Sequence, residues 1–183
     1  MGKTKIISSI ILSFILIACT ERTKNELNLP VISHRYHVYK KDSIIESNNL
    51  LLDKITTNDS IYYYYKYDKS GDELLYSLKR SKVDKTNLLI IGTECPLIAQ
   101  KKYQIENQEF KIFKYDYDNH KSSDEETSYF YCEKYGLLIV DNYTEYGLVY
   151  SFEYDSISQS IVNQILKDST AFGIKIPLIP PAS

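Results

Sequence analysis

From residue 31 to about residue 154 the chain alternates apolar and polar side chains with period two, broken by short clusters of Asn, Asp, Gly and Lys. Successive strand side chains point to opposite faces, so this is the pattern of strands with one face buried. Residues 31–39 read as a strand with Ile32, His34, Tyr36 and Val38 on one face. Residues 43–57 are ambiguous, with Ser47-Asn48-Asn49 able to turn the chain between Ile44-Ile45 and Leu50-Leu51-Leu52. Residues 61–67 form a clear strand. Lys69-Ser70-Gly71-Asp72 turns it into a second, in which Leu74, Tyr76 and Leu78 share a face. Residues 88–91 are a short, wholly apolar strand of the kind found at the centre of a sheet. Residues 100–105 and 110–117 pair as a hairpin around Glu106-Asn107-Gln108-Glu109, with Asn107 best suited to a left-handed conformation. Residues 129–132, 137–140 and 148–154 complete the strands. Gly136 and Gly147 each stand in a turn that feeds an apolar strand, which reads as a local meander.

One helix is signalled, near the end of the chain. Ser156-Ile157-Ser158-Gln159 has capping-box spacing, with Ser156 as N-cap and Gln159 at N3. Ile157, Ile161, Ile165 and Phe172 fall on one face, and Gly173 suits the position just past the helix end. Pro177, Pro180 and Pro181 make residues 177–183 a poor candidate for regular structure. The expected fold class is α+β: a predominantly antiparallel sheet or meander, open to curvature, with a C-terminal amphipathic helix packed on one face.

Length and composition fit one domain, expected over residues 30–176. The chain has 183 residues, 43% of them hydrophobic, and a formal charge of -2, which gives nucleic acid no basic footprint to bind. Eighteen Tyr, no Trp and six Gly favour strands over a glycine-looped nucleotide fold. In the run Ile61-Tyr62-Tyr63-Tyr64-Tyr65-Lys66-Tyr67 both strand faces carry rings, so a Tyr-rich face is a candidate surface for a protein or glycan partner.

The first eighteen residues read differently. Lys3 and Lys5 precede an apolar run from Ile6 to Ala18, too short to span a bilayer and the right length for a signal-peptide core. It ends in Leu16-Ile17-Ala18-Cys19, which resembles the lipobox of bacterial lipoproteins. The resemblance implies diacylglyceryl transfer to the Cys19 sulfur, cleavage after Ala18, and acylation of the new amino group. Two or three acyl chains make a durable anchor. Thr20, where an Asp would retain an enteric-type lipoprotein in the inner membrane, implies the outer membrane. Residues 19–29 are then expected to be the lipidated cysteine and a flexible tether.

Motifs for catalysis or metal binding are not evident. His34 and His37 stand three apart on a predicted strand, hence on opposite faces, and do not share an ion. The loop from Asp116 begins like a calcium loop but has Lys121 at the glycine position and Thr127 in place of the bidentate glutamate. His120 lies in that polar loop without a triad spacing. No cofactor is implied. Asp precedes Ser43, Ser60, Ser156 and Ser169, each followed by a methyl-bearing residue, which resembles the O-glycosylation signal of some Gram-negative envelopes. Cys95 and Cys132 are expected as unbridged thiols, three strands apart. The reading is a membrane-anchored envelope lipoprotein with a non-enzymatic binding or structural role. Its alternatives are a carrier-like periplasmic lipoprotein with an apolar concavity, by resemblance of architecture alone, or a lipid-tethered immunity protein.

Overall fold

Period-two patterning delivers strands almost throughout. A computed structural model describes residues 23–37, 40–69, 73–118, 126–142 and 147–174, and in residues 40–42 and 118 the backbone only. The strands are β1 Lys24–His37, β2 Lys40–Thr56, β3 Ser60–Tyr67, β4 Leu74–Ser81, β5 Asn87–Ile90, β6 Thr93–Ile105, β7 Gln108–Asp118, β8 Glu126–Cys132, β9 Gly136–Asn142 and β10 Leu148–Glu153, followed by helix α1 Ser156–Lys167. Each strand pairs antiparallel with the next, and β1 pairs with β10 from Ile32↔Glu153 to His37↔Leu148. The meander therefore closes into a barrel. In such a meander the β2–β3, β4–β5, β6–β7 and β8–β9 connections, the start of β1 and the start of α1 all lie at one end, called the mouth below.

Two apolar clusters result. Inside the barrel, Val31, Leu50, Leu52, Tyr63, Tyr65, Leu78, Leu88, Phe113, Tyr131, Leu137 and Phe152 pack together. On the outside, Ile161, Val162, Ile165 and Leu166 of α1 cover Tyr103, Ile112, Phe130 and Ile139. Tyr fits the interior because its hydroxyls find partners there. The Leu137 N–H donates to Tyr65 Oη (2.9 Å), Tyr65 lies 2.7 Å from Tyr154 Oη, and Tyr154 donates to the Leu137 carbonyl (2.6 Å). Tyr154 spends its proton on that carbonyl, so Tyr65 donates to Tyr154. Gly136, at φ 98°, lies against the Tyr63 and Tyr65 side chains.

Several local expectations are corrected. β1 starts at Lys24, inside the stretch expected to be tether, because residues 24–26 pair with residues 54–56 of β2. Val31 and Ser33 point inward, and Ile32, His34 and Tyr36 share a face as the alternation predicts. It is the outer face, where Ile32 is 44% exposed and Tyr36, opposite Val149 of the outer cluster, accepts from Ser151 Oγ (3.3 Å); Val38 lies outside the described residues. Ser47-Asn48-Asn49 makes no turn, since pairing with β1 carries β2 straight through it. β6 begins seven residues before the expected strand, and Glu106 (φ 47°) joins Asn107 (φ 64°) in a two-residue hairpin turn. The N-cap of α1 is Asp155, not Ser156: Asp155 Oδ1 accepts from the Ser158 N–H (2.8 Å) and Ser158 Oγ from the Asp155 N–H (2.9 Å). The capping box thus sits one residue earlier, with Ser158 in place of Gln159. α1 ends at Lys167, so Phe172 is buried beyond the helix rather than on it. Cys95 and Cys132 are free and buried, two strands apart rather than three. Cys132 faces Ile112, which faces Lys101, six residues along β6 from Cys95, so they are offset by about 20 Å along the strands.

Candidate ligand-binding site at the barrel mouth

The β4–β5 connection folds over the mouth and is fastened there by its own side chains. Ser81 Oγ accepts from the N–H groups of Val83 (3.2 Å) and Asp84 (3.0 Å), and Asp84 Oδ1 accepts from the Thr86 N–H (2.9 Å) and hydroxyl (2.6 Å). Lys85 Nζ meets Glu133 of the β8–β9 turn at 2.7 Å, and Tyr115 Oη donates to the Lys85 carbonyl (3.4 Å).

Under this connection lies Arg80, the last inward residue of β4 and 1% exposed. Its Nη1 donates to the carbonyls of Ser81 (3.3 Å) and Asp84 (3.1 Å). The guanidinium carbon is 5.5, 5.6 and 5.9 Å from the ring centroids of Phe113, Tyr115 and Tyr131. Three rings partly offset the cost of burying the charge, at about 2 kcal/mol each at most. Nε and Nη2 have no hydrogen-bond partner, and no carboxylate pairs with Arg80 among the described residues. Those two nitrogens form one edge of the guanidinium, the edge that binds an oxyanion through two parallel hydrogen bonds.

Beside Arg80 opens a cleft of about 310 Å³ lined by Lys85, Phe110, Lys111, Phe113, Glu133 and Lys134, with Cys132 and Glu109. Phe113 belongs to both: its ring lines the cleft and lies against the guanidinium. The two carboxylates are engaged, Glu133 with Lys85 and Glu109 with Lys102, each at 2.7 Å. Lys111 and Lys134 instead lie over rings, 5.1 Å from Phe113 and 4.6 Å from Tyr135, and neither is in an ion pair among the described residues. The cleft is therefore cationic. Burial raises the Cys132 thiol pKa, keeping it protonated and a poor nucleophile. Lys134 also lines an adjoining groove of about 190 Å³ with Leu29, Pro30 and Lys54, where Lys54 Nζ donates to the Lys134 carbonyl (3.1 Å). The cleft thus reaches the start of β1.

The residues singled out from sequence are scattered. Ala18, Cys19, Thr20, His120 and residues 177–183 lie outside the described residues. Ser43, Ser156 and Ser169 are exposed, whereas Ser60 is buried, 7% exposed. The tyrosine run divides: Tyr63 and Tyr65 fill the core, and Tyr62 and Tyr64 are half-buried on the outside of β3, with Lys79 Nζ 5.6 Å above the Tyr62 ring. His34 sits in the β1 seam, 2.8 Å from Ser47 Oγ and 3.4 Å from Glu153. Arg80, Lys111 and Lys134 were not marked by sequence. One signal was present: the alternation through Tyr76 and Leu78, carried one step further, places Arg80 on the inner face. Comparison of the chain with protein-family models, curated proteins and solved structures finds no match.

Proposed function

We propose that this is a lipid-anchored envelope protein with a non-enzymatic binding role, and that its ligand or partner is held at the cationic mouth. The observation that carries this reading is the position of the cleft at the end of the barrel where β1 begins, at Lys24, five residues after Cys19. Five residues span at most about 17 Å, so lipid on Cys19 holds the mouth close to the bilayer surface.

Two further features support it. Inner-facing residues of the described strands are mainly apolar and aromatic, and the outside of β2–β4 carries Asp53, Lys66 and Lys79, the reverse of a barrel that spans a membrane. The Thr20 position favours the outer membrane.

The test has two arms. Fatty-acid labelling in cells is expected in the wild type and lost in Cys19→Ser; equal label overturns the anchor. Envelope pull-down with the full chain is expected to lose its partner when the exposed Lys111 and Lys134 are both changed to Glu, and to keep it in Tyr64→Ala. Loss in Tyr64→Ala alone moves the site to the sheet face. A captured toxin would make the protein a tethered immunity protein.

A further inference from the structure

Resting on the mouth as binding site, we infer that what it binds carries an oxyanion, a carboxylate or a phosphate, and that the Nε–Nη2 edge of Arg80 is its seat. A buried guanidinium normally meets a carboxylate. Arg80 is held in other respects: Nη1 by two carbonyls, the guanidinium by the cluster of Phe113, Tyr115 and Tyr131 rings packed against it, and its strand by β3 and β5 at Ile61 and Leu88. What remains without a partner among the described residues is the one buried edge that matches two oxygens of a carboxylate or phosphate. Asp84, the nearest acidic residue of the connection, turns its Oδ1 to Thr86 and offers Arg80 only its carbonyl. The arginine's own loop therefore leaves the fork unfilled.

The surroundings favour the same class of ligand. Lys111 and Lys134, at the outer side of the cleft, carry charge that no carboxylate neutralises among the described residues. Phe113 is the side chain shared by cleft and fork. An anionic group drawn in by the lysines would meet the fork once that ring turns, while the apolar remainder of the ligand lies against Phe110. Site and ligand are matched in charge and in planar geometry, and Lys at position 80 would supply charge without the fork.

The full chain, purified in detergent, is titrated with sodium acetate and separately with inorganic phosphate, ionic strength being held with chloride. Thermal unfolding is followed by near-ultraviolet circular dichroism of the tyrosines. Binding to the native state raises Tm, and a rise of about 5 °C is expected at a hundredfold excess over Kd. A rise with acetate alone assigns a carboxylate, with phosphate alone a phosphate. Arg80→Met is expected to fold, because an apolar chain of similar length replaces an unpaired buried charge, and to show no rise. Arg80→Lys should retain less than half of it. Should the Met variant unfold, the Arg80 Nε–H resonance of the wild type decides: it moves on titration if the fork is the seat. No rise in the wild type, an equal rise in Arg80→Met, or an unmoved Nε–H resonance overturns the inference. Lost partner capture in the Lys111/Lys134 variant with no anion response leaves the mouth reading standing and overturns only this one. An Arg80-dependent response with capture untouched keeps the fork as an oxyanion seat but overturns the claim that the captured partner is what it holds.

Discussion

Replacing Gly136 with Ala tests whether the barrel interior is packed as described. Gly136 opens β9 at φ 98°, and a Cβ there would lie 2.6 Å from Tyr65 Oη, 2.8 Å from Tyr63 Cδ1 and 2.9 Å from Tyr63 Cε1. Neither neighbour is free to yield. Tyr65 is fixed by the Leu137 N–H and by Tyr154, and Tyr63 Oη lies 2.9 Å from Tyr131 Oη while donating to the Glu133 carbonyl (3.3 Å). Gly92, at φ 81° with nothing within 4 Å of its added Cβ, is the internal control. Gly92→Ala bears only the backbone penalty, about 1–2 kcal/mol. Gly136→Ala adds overpacking of about 1–3 kcal/mol, for a total of about 2–5 kcal/mol. Urea unfolding followed by circular dichroism measures both. Adding Tyr65→Phe to Gly136→Ala removes the nearest atom and should make the combined loss smaller than the sum of the two single losses. Equal losses for the two glycines, or strict additivity in the double variant, would refute the packing.

Three other outcomes follow from the same contacts. Ile165→Asp, which buries a charge under α1, should cost about 4 kcal/mol or more, while Lys167→Asp on the exposed side should cost under about 1 kcal/mol; thermal melts compare them. Burial alone would raise the Asp168 pKa, yet the Lys101 ammonium (2.6 Å), Thr170 and the Tyr103 hydroxyl (2.8 Å) hold it well below 3.8. Its contribution is therefore complete above about pH 4 and is lost as the pH falls further, and Asp168→Asn should cost about 2 kcal/mol at pH 7 and flatten the acid limb of stability against pH. Burial pushes Tyr63, Tyr65, Tyr131 and Tyr154 above their ordinary value of 10.0. Those hydroxyls ionise first in the unfolded chain, so stability is whole below pH 10 and should fall steeply above it; a urea midpoint that does not drop between pH 9 and pH 11 would contradict this.

The meander and the terminal helix were legible because alternation and the i, i+4 spacing of Ile157, Ile161 and Ile165 are local signals. Closure was not, because it depends on register. The shift between Leu97 and Ala99 turns β6 from the inner cluster to the outer one in a way no single strand encodes. Turn propensity at Ser47-Asn48-Asn49 lost to pairing along β1, a tertiary override. The cap moved by one residue because Asp155 and Ser156 are both competent caps, and burial of Ser158 decides for Asp155. The mouth was hidden for a different reason. Arg80 reads as a surface residue by type, and only the three rings packed against it, drawn from β7 and β8, make it an interior one.

The most direct test of binding at the anchored mouth is site-specific photo-crosslinking in living cells. A photoreactive residue in place of Lys111 samples the cleft, and one in place of Ile44, half exposed (50%) on the part of β2 far from it, samples the other end of the barrel. The account predicts a discrete adduct from position 111, lost when Lys134 is changed to Glu, and none from position 44. An adduct from position 44 with none from position 111 would contradict it.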